Sequence, residues 1–371
     1  MQNAIALVMG TRPEVLKFAP LYHELSARKR FSPLVIASGQ HESMANQAFE
    51  AFQMPPDENL ALMTKGQTPN SFLSELFARL PVVLERHRPA LVVVQGDTTT
   101  AYGTAVCAFH LGIPVAHLEA GLRTGNVLSP FPEEMNRVQI GRIASLHFAP
   151  TERAKNALLD ERAHGEIHVV GNTAVDAVLE MSRRLVTHEV SVSSFVRDEL
   201  FSHSSRTILV TGHRRENFDA PLQNLCTVLL RLRDSVSDLQ IVYPVHLNPN
   251  VYDTVHTRLA NQERITLCPP LDYPSMVYAM THSTLIISDS GGIQEEAPSL
   301  GKRVFVTRNC TERQEAIEAG TAVLCPLATP NTLYEAVLAE LQETKPLSLQ
   351  NPFGNGTTSK VVADILEQYL T

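Results

Sequence analysis

Short apolar runs alternate with helical patterns along this chain, and this alternation limits its fold more than any other feature. In the first third of the chain the apolar runs are residues 4–8, 33–37, 91–94 and 114–118. The third run is apolar at every position, as is typical of a strand that is covered on both faces. Between the first two runs, residues 15–25 carry apolar side chains at helical spacing. Strands and helices that alternate in this way predict a doubly wound α/β sheet with parallel strands.

The same pattern restarts in the second half, which predicts a second domain of the same kind. Residues 207–211 form an apolar run, and Gly212 follows it as Gly10 follows the first run. We expect the connection in or just before residues 177–205, where charges are mixed and serines are frequent. The predicted domains are residues 1–175, joined by a C-terminal helix within 352–371, and residues 176–351. Because ligands of open α/β sheets bind beyond the carboxyl ends of the strands, we expect the two domains to face a cleft.

Composition and charge exclude several classes of protein. The chain has 371 residues, of which 44% are hydrophobic and 19% charged, as in a globular protein large enough for two domains. Its net charge of −8 argues against nucleic acid as the main partner. No apolar run approaches membrane-spanning length and the N-terminus does not resemble a signal peptide, so we expect a cytoplasmic protein without a membrane partner. The five scattered cysteines match neither a zinc site nor a disulfide framework.

Residues 285–298 predict a strand, a tight turn and the start of a helix. An apolar run is followed by small polar residues, by the pair Gly291-Gly292 and by helix formers. Backbone N–H groups at a helix start lack internal partners, and glycines let an anion approach them closely. The stretch therefore suits a phosphate group, with Glu295 and Glu296 placed to take a sugar hydroxyl. An ordinary turn with an acidic first helical turn fits this stretch equally well.

Carboxylates follow the predicted strands of the first half. Asp97 and Glu119 come just after apolar runs, and Glu133 precedes Arg137 by four positions, on one face of a predicted helix. Carboxylates that share a cleft raise one another's pKa, so that one can hold a proton while another accepts one. Such a set suits proton transfer at carbon or the departure of a leaving group. A structural ion pair between Glu133 and Arg137, and a helix-capping role for Asp97, stay open as alternatives.

Basic residues follow the first strand of each half. Arg12 and Lys17 come after the first run, and His213 comes directly after residues 207–211. A histidine at a strand end is not a usual core residue, so we favour a role near phosphate for this group. G-x-G-x-x-G follows none of the predicted strands, which disfavours nicotinamide and flavin cofactors.

Six motifs in order resemble the non-hydrolysing UDP-N-acetylglucosamine 2-epimerases, and the similarity runs nearly from end to end. The motifs are Gly10-Thr11-Arg12-Pro13-Glu14, Gly96-Asp97-Thr98-Thr99-Thr100, Glu119-Ala120-Gly121-Leu122-Arg123-Thr124, Pro132-Glu133-Glu134-Met135-Asn136-Arg137, Thr211-Gly212-His213-Arg214-Arg215-Glu216-Asn217 and Asp289-Ser290-Gly291-Gly292-Ile293-Gln294-Glu295-Glu296. The resemblance implies two Rossmann-like domains of the glycosyltransferase-B type with a UDP-sugar between them. It also implies a homodimer without a metal or redox cofactor.

The activity that the resemblance implies is reversible inversion at C2 of the sugar. UDP would be eliminated to give 2-acetamidoglucal and then added back, with a proton delivered to the opposite face. The residues that would handle the proton or help UDP depart are Asp97, Glu119, Glu133 and His213. Those that would hold the nucleotide sugar are Arg12, Lys17, Arg137, Ser290, Gly291, Gly292, Glu296 and Arg313. A second, activating UDP-GlcNAc site would include Gln40, His41 and Gln47.

Other functions stay open beside this one. Leu271, Met276 and Gln314 depart from the family pattern, so an epimerase of a related UDP-N-acyl sugar is one alternative. A hydrolysing 2-epimerase, a glycosyltransferase of the same fold and a nucleotide-sugar sensor are the others. A sensor would need the phosphate-binding groups but not the three carboxylates together.

Overall fold

The computed structural model describes residues 3–39, 42–64, 66–201, 206–343 and 349–371, and within them thirteen strands form two sheets. The strands are β1 (Asn3–Met9), β2 (Phe31–Ala37), β3 (Glu58–Asn59), β4 (Leu91–Gln95), β5 (Val115–Leu118), β6 (Leu146–Ala149), β7 (Glu166–Val169), β8 (Arg206–Thr211), β9 (Leu239–Pro244), β10 (Ile265–Cys268), β11 (Leu285–Ser288), β12 (Val304–Val306) and β13 (Ala322–Leu324). All pairs of neighbouring strands are parallel.

Helices connect the strands in both sheets. The α-helices are α1 (Arg12–Ala27), α2 (Glu42–Ala51), α3 (Pro69–His87), α4 (Thr99–His110), α5 (Glu133–Ile143), α6 (Glu152–Asp160), α7 (Thr173–Val186), α8 (Ala220–Ser235), α9 (Pro249–Leu259), α10 (Tyr273–His282), α11 (Gly291–Glu296), α12 (Gln314–Glu318), α13 (Pro330–Gln342) and α14 (Thr358–Tyr369). A π-helical turn, Phe195–Leu200, and two 3-10 turns, Arg215–Asn217 and Ala297–Leu300, complete the set within the described residues.

The two sheets share one strand order. The seven-stranded sheet runs β3-β2-β1-β4-β5-β6-β7, and the six-stranded sheet runs β10-β9-β8-β11-β12-β13. In each sheet the chain winds outward from its first strand, then returns to the other side of that strand. At such a reversal the connections leave in opposite directions, and the strand ends there form the usual ligand site of open α/β sheets. The predicted fold of two doubly wound, Rossmann-like α/β domains is confirmed.

The chain divides into two compact units. The first unit contains Met1–Ala177 and Phe353–Thr371, and the second contains Val178–Pro352. The division falls within α7, so the beginning of the stretch 177–205, where we expected the connection, is regular helix. Buried apolar residues of α7, among them Ala174, Val178 and Met181, recur at helical spacing. Of the charges that suggested a linker, Glu180, Arg183 and Arg184 belong to this helix, and the others follow it.

The C-terminal helix α14 packs on the first unit. Asp176 is buried and its carboxylate accepts the backbone N–H of Ser359 at 2.7 Å, in the first turn of α14. Further along the helix, Arg28, which follows α1, bonds Asp364 at 2.7 Å and lies 3.2 Å from Glu367. A carboxylate at the start of α14 and an arginine along its side therefore attach the chain terminus to α1 and α7.

Each unit buries its own apolar core between a sheet and its helices. In the first unit Val8, Val92 and Val94 from the sheet belong to one cluster with Leu76 and Leu80 from α3. An analogous cluster in the second unit joins β8, β9 and β11 to the apolar faces of α8 and α13. No helix in the described part of the chain combines the length and apolar composition needed to cross a bilayer.

Candidate active site

The loop after β1 is held by a buried carboxylate from its own helix. One oxygen of Glu14 accepts the backbone N–H groups of Gly10 at 3.0 Å and Thr11 at 2.8 Å, and the other accepts the Thr98 hydroxyl at 2.6 Å. Burial raises the pKa of Glu14, and these hydrogen bonds oppose the shift. Arg12, the first residue of α1, is half-buried and its side chain makes no hydrogen bond to another described residue. The loop is thus fixed while Arg12 stays available to a ligand.

Asp97 lies at the end of β4 and is paired with Arg137 of α5. Its backbone carbonyl accepts the side-chain amide of Asn136 at 2.8 Å. The helix cap is Thr98, whose hydroxyl accepts the N–H of Ala101, so Asp97 is not the cap. About a quarter of the Asp97 side chain is exposed, which leaves it accessible to a substrate.

Glu119 lies at the end of β5 and faces a lysine. Lys17 on α1 places its ammonium group 2.6 Å from one carboxylate oxygen, and the amides of Gln95 and Asn172 also bond the carboxylate. The backbone φ of Glu119 is +61°, a left-handed value that is uncommon for a residue with a side chain. Its second oxygen lies 3.6 Å from where a Cβ on Gly96 would stand, so Glu119 approaches the turn that carries Asp97.

The expected ion pair between Glu133 and Arg137 is not formed. Arg137 donates to Glu134 at 3.1 Å and to Asp97, while Glu133 makes no ion pair among the described residues and is half-buried. Glu133 and Glu134 both lie within one helical turn of Arg137, so helical spacing alone does not decide which of them pairs with it. In place of directly coupled carboxylates, the first unit therefore holds two carboxylate–cation pairs, Asp97–Arg137 and Glu119–Lys17.

In the second unit a buried aspartate organises the corresponding turns. Asp289 follows β11 and is fully buried. One of its oxygens accepts the backbone N–H groups of His213 and Arg214, both at 3.0 Å, and the side-chain amide of Asn217 at 3.1 Å. The turn after β8 is therefore tied to the end of the neighbouring strand.

His213 presents a half-exposed imidazole beside this aspartate. Its Nδ1 lies 3.4 Å from the other oxygen of Asp289, and its ring stacks on His246 with centroids 5.6 Å apart. Desolvation lowers the pKa of His213, Asp289 opposes that shift, and His246 and Arg214 add to it. The ring is therefore largely neutral at neutral pH and can donate a hydrogen bond without carrying a charge.

The glycine pair begins α11 beneath an arginine. Gly291 and Gly292 are the first two residues of the helix, so their N–H groups have no acceptor inside it. The N–H of Ser290 already donates to the Ser288 hydroxyl at 3.0 Å, so the serine would reach a ligand through its side chain. The guanidinium of Arg313 lies directly over Gly291, where a Cβ would stand 2.9 Å from its central carbon.

A network of charges behind Arg313 was not predicted from the sequence. Arg313 donates to buried Glu295 at 2.9 Å, and Glu312 bonds both Arg313 and Arg308. Arg308 also donates to Glu216 at 2.9 Å. Burial opposes the ionisation of Glu312, but its hydrogen bond to Arg308 and the charges of both arginines lower its pKa to about 2. Arg308 follows β12, next to β11 in the sheet, and that strand-end position was the signal available in the sequence.

Of the three residues predicted to belong to an activating UDP-GlcNAc site, one lies among the described residues. Gln40 and His41 lie outside the described residues. Gln47 is exposed on α2. The activator site therefore stays a prediction.

Comparison with known proteins identifies the family. The family model for UDP-N-acetylglucosamine 2-epimerase matches residues 23–367. The UDP-N-acetylglucosamine 2-epimerase of Salmonella typhimurium is 41% identical over 370 residues, which cover 98% of each chain. That of Bacillus subtilis is also 41% identical, over 98% of this chain and 95% of the relative.

Solved structures agree with the sequence comparison. UDP-GlcNAc 2-epimerase from Neisseria meningitidis, crystallised with UDP-GlcNAc, is 37% identical and superposes with a TM-score of 0.91, covering 98% of this chain and all of that one. The enzyme from Methanocaldococcus jannaschii, solved with UDP-GlcNAc and UDP, is 33% identical with a TM-score of 0.83, over 98% of this chain and 99% of that one. With a family match along most of its length, the same fold and close relatives of one activity, this chain belongs to the UDP-N-acetylglucosamine 2-epimerase family and is an isomerase.

Proposed function

We propose that this protein reversibly inverts C2 of UDP-N-acetylglucosamine to give UDP-N-acetylmannosamine by eliminating UDP and adding it back. The main support is the pair of carboxylate–cation contacts at neighbouring strand ends, Asp97–Arg137 after β4 and Glu119–Lys17 after β5. Family membership supports the substrate, since the Neisseria meningitidis relative was crystallised with UDP-GlcNAc.

The chemistry requires a base, a leaving-group site and an acid. The C2 hydrogen is not next to a carbonyl, so it becomes acidic only as the bond between C1 and the UDP oxygen weakens. A carboxylate takes the proton, the C–H electrons form the C1=C2 double bond, and the C1–O electrons leave with UDP. In the reverse half, a proton reaches the opposite face of C2 and the UDP oxygen bonds to C1 again. The intermediate between the two halves is 2-acetamidoglucal.

The first unit supplies the groups for proton transfer in this proposal. Asp97, Glu119 and Glu133 exchange the proton, since positioned carboxylates are effective general acids and bases. Arg137 and Lys17 hold the first two carboxylates in place. Lys17 was assigned to nucleotide-sugar binding from the resemblance, and its contact with Glu119 supports a role in orienting that carboxylate as well.

The second unit supplies the groups for the diphosphate. Donors placed where charge develops stabilise a departing anion more than they stabilise the bound substrate. Arg313, the neutral His213 and the amides of Gly291 and Gly292 are such donors, and Arg12 of the first unit adds a further charge. Ser290 and Glu296 would take hydroxyl groups of the nucleotide sugar.

Incubation with UDP-GlcNAc in deuterated water tests the proposal, with C2 followed by NMR. We expect UDP-ManNAc with deuterium at C2, and deuterium in UDP-GlcNAc as the reaction returns. Free N-acetylmannosamine with UDP would indicate a hydrolysing enzyme. Epimer without deuterium would exclude exchange of the C2 proton with solvent-linked carboxylates, and no epimer at all would refute the proposal. The homodimer and a second, activating UDP-GlcNAc remain predictions, for which sedimentation and rate against substrate concentration are the measurements.

A further inference from the structure

Glu134 is a buried carboxylate that joins two parts of the candidate active site in the first unit. One of its oxygens accepts the backbone N–H groups of Thr124 at 2.9 Å and Gly125 at 3.0 Å. Its other oxygen accepts Arg137 at 3.1 Å. The first two contacts fix the segment that follows β5 and Glu119, and the third fixes an arginine that is paired with Asp97.

Two neighbouring residues of α5 therefore hold Asp97, one through its side chain and the other through its backbone carbonyl. Arg137 pairs with the carboxylate, and Asn136 donates to the backbone carbonyl at 2.8 Å. Glu134 accepts a hydrogen bond from the other terminal nitrogen of the Arg137 guanidinium. This second contact restricts rotation of the planar guanidinium group. With 2% of its surface exposed, Glu134 cannot itself contact a substrate.

We propose that Glu134 is a positioning residue, which fixes the Arg137 guanidinium and thereby sets the orientation and protonation of Asp97. This inference rests on the proposed epimerase reaction. It concerns a carboxylate to which neither the resemblance nor the sequence patterns gave a role.

The charge of Glu134 affects Asp97 through the arginine that they share. One positive charge on Arg137 serves two carboxylates, so removing the charge of Glu134 leaves Asp97 as its sole anionic partner in the pair. A less compensated Arg137 favours an ionised partner, so the pH limb of turnover that depends on the Asp97–Arg137 pair should move to lower pH. The other groups around the Asp97 turn are Glu119 with Lys17 beside Gly96, Glu14 through Thr98, and His117 at the Gly96 carbonyl. These groups are the same in every variant below.

A purely structural role for Glu134 is the competing interpretation. The carboxylate would then only attach residues 124–125 to α5, and its replacement would lower stability without changing how Asp97 ionises. The dependence of turnover on pH separates the two roles, since stability alone does not move the pH limb of a folded enzyme.

The experiment compares Glu134→Gln and Glu134→Asp with wild type, using kcat for UDP-GlcNAc against pH. Glu134→Gln keeps an acceptor for the loop amides but loses the charge, so the Asp97 limb should move to lower pH by about 0.5 unit or more. The direction is the same whether Asp97 acts as acid or base. Plateau kcat should fall about 10–100-fold, as is usual when a reacting group is misplaced. Glu134→Asp keeps the charge, so its limb should stay in place while kcat falls.

Glu161→Gln is the matched control. Glu161 also pairs with an arginine of the first unit, Arg123, through two hydrogen bonds of 2.9 and 2.8 Å, and it has no contact with Asp97. Its pH profile should superimpose on that of wild type. If the pH limb of kcat is at the same position in Glu134→Gln as in wild type, the inference is overturned. If Glu134→Gln does not fold, a wild-type kcat in Glu134→Asp overturns it instead. Absence of C2 deuterium in the wild-type product would instead refute the proposed reaction, so the two failures are distinguishable.

Discussion

Replacing Gly291 by alanine should destabilise the second unit, whereas the same change at Gly292 should not. The two glycines are consecutive at the start of α11, so the change in helix propensity is similar at both positions. Their surroundings differ. A Cβ on Gly291 would stand 2.9, 3.0 and 3.1 Å from three atoms of the Arg313 guanidinium, while the nearest atom to a Cβ on Gly292 is the Ser290 hydroxyl oxygen, 3.9 Å away.

The magnitude follows from the contacts that Arg313 must give up. Its Nε lies 2.9 Å from Glu295, which is buried, and its Nη2 lies 2.8 Å from the same oxygen. A hydrogen bond to a charged group contributes about 1.5–3 kcal/mol, and alanine in place of a helical glycine recovers about 0.4–1 kcal/mol. Displacement of the guanidinium should therefore cost about 1–2 kcal/mol in Gly291→Ala. Gly292→Ala should gain about 0.4–1 kcal/mol, because nothing has to move.

Urea denaturation followed by circular dichroism measures the stabilities, and calorimetric titration with UDP measures affinity. The midpoint for Gly291→Ala should fall and that for Gly292→Ala should hold or rise, at unchanged denaturant dependence. UDP affinity should behave differently. The methyl group of Gly292→Ala would stand 3.9 Å from the Ser290 hydroxyl, at the helix start proposed to bind phosphate, so it should weaken UDP binding about tenfold or more without loss of stability.

An Arg313→Ala background tests the cause. Without the guanidinium, Gly291→Ala should lose its stability cost and behave as Gly292→Ala does, which gives a coupling energy of about 1–3 kcal/mol in the double-mutant cycle. Equal stabilities for the two single glycine variants would refute the reasoning. A cost of Gly291→Ala that persists in the Arg313→Ala background would show that backbone strain, and not the arginine, is responsible.

Three further substitutions test the first unit. Asp97→Asn and Glu119→Gln should each lower turnover by about 10²–10⁴ while UDP still binds, and wild-type turnover in both would remove them from the mechanism. Burial lowers the pKa of His117 to about 3, with the nearby His147 as the next cause. Because the unfolded chain binds a proton there below about pH 6.5, stability is lost as pH falls from 6.5 toward 3. Between pH 7 and pH 5 wild type should therefore lose about 2 kcal/mol more than His117→Asn in urea denaturation, and equal losses would contradict a neutral buried imidazole.

Local elements were predictable where the sequence carries its own physical signal. The run 91–94 in β4 is apolar at every position because both faces of this strand are covered, and all five residues of the strand, including Gln95, are buried. Helix α1 begins with Thr11 at the cap and a proline in the first turn, which are common start signals of a helix. The repeated order of strand, polar turn and helix predicted the doubly wound fold.

Contacts between distant residues were not predictable in the same way. Arg137 was matched with Glu133 by helical spacing, but it pairs with Glu134 and with Asp97, which is 40 positions away. Lys17 and Glu119 are 102 positions apart, and no local pattern indicates that they meet. Helical spacing tells which side chains share a face, while the sheet order decides which strand ends come together, and only the folded chain shows both.

The two units secure the same turn with carboxylates from different positions, and this difference supports the division of roles in the proposed function. In the first unit Glu14, from within α1, holds the amides that follow β1. The carboxylate at the end of β4, Asp97, is thereby left at the surface, a quarter exposed and paired with Arg137. In the second unit Asp289, at the equivalent strand end, holds the amides that follow β8 and is fully buried.

Asp289 therefore cannot reach a substrate proton, whereas Asp97 can. Both carboxylate oxygens of Asp289 face the turn that carries His213. One lies 3.0 Å from the backbone nitrogen of His213 and the other lies 3.4 Å from its imidazole. The strand ends of the second unit instead present the start of α11 and the arginines beside it. Both kinds of group bind anions. Asp289→Asn should weaken UDP binding by loosening the His213 turn. The Asp97→Asn variant should bind UDP as wild type does and fail in proton exchange at C2. Weakened UDP binding in Asp97→Asn, together with lost proton exchange and normal UDP binding in Asp289→Asn, would show that the two strand ends do not divide the reaction in this way.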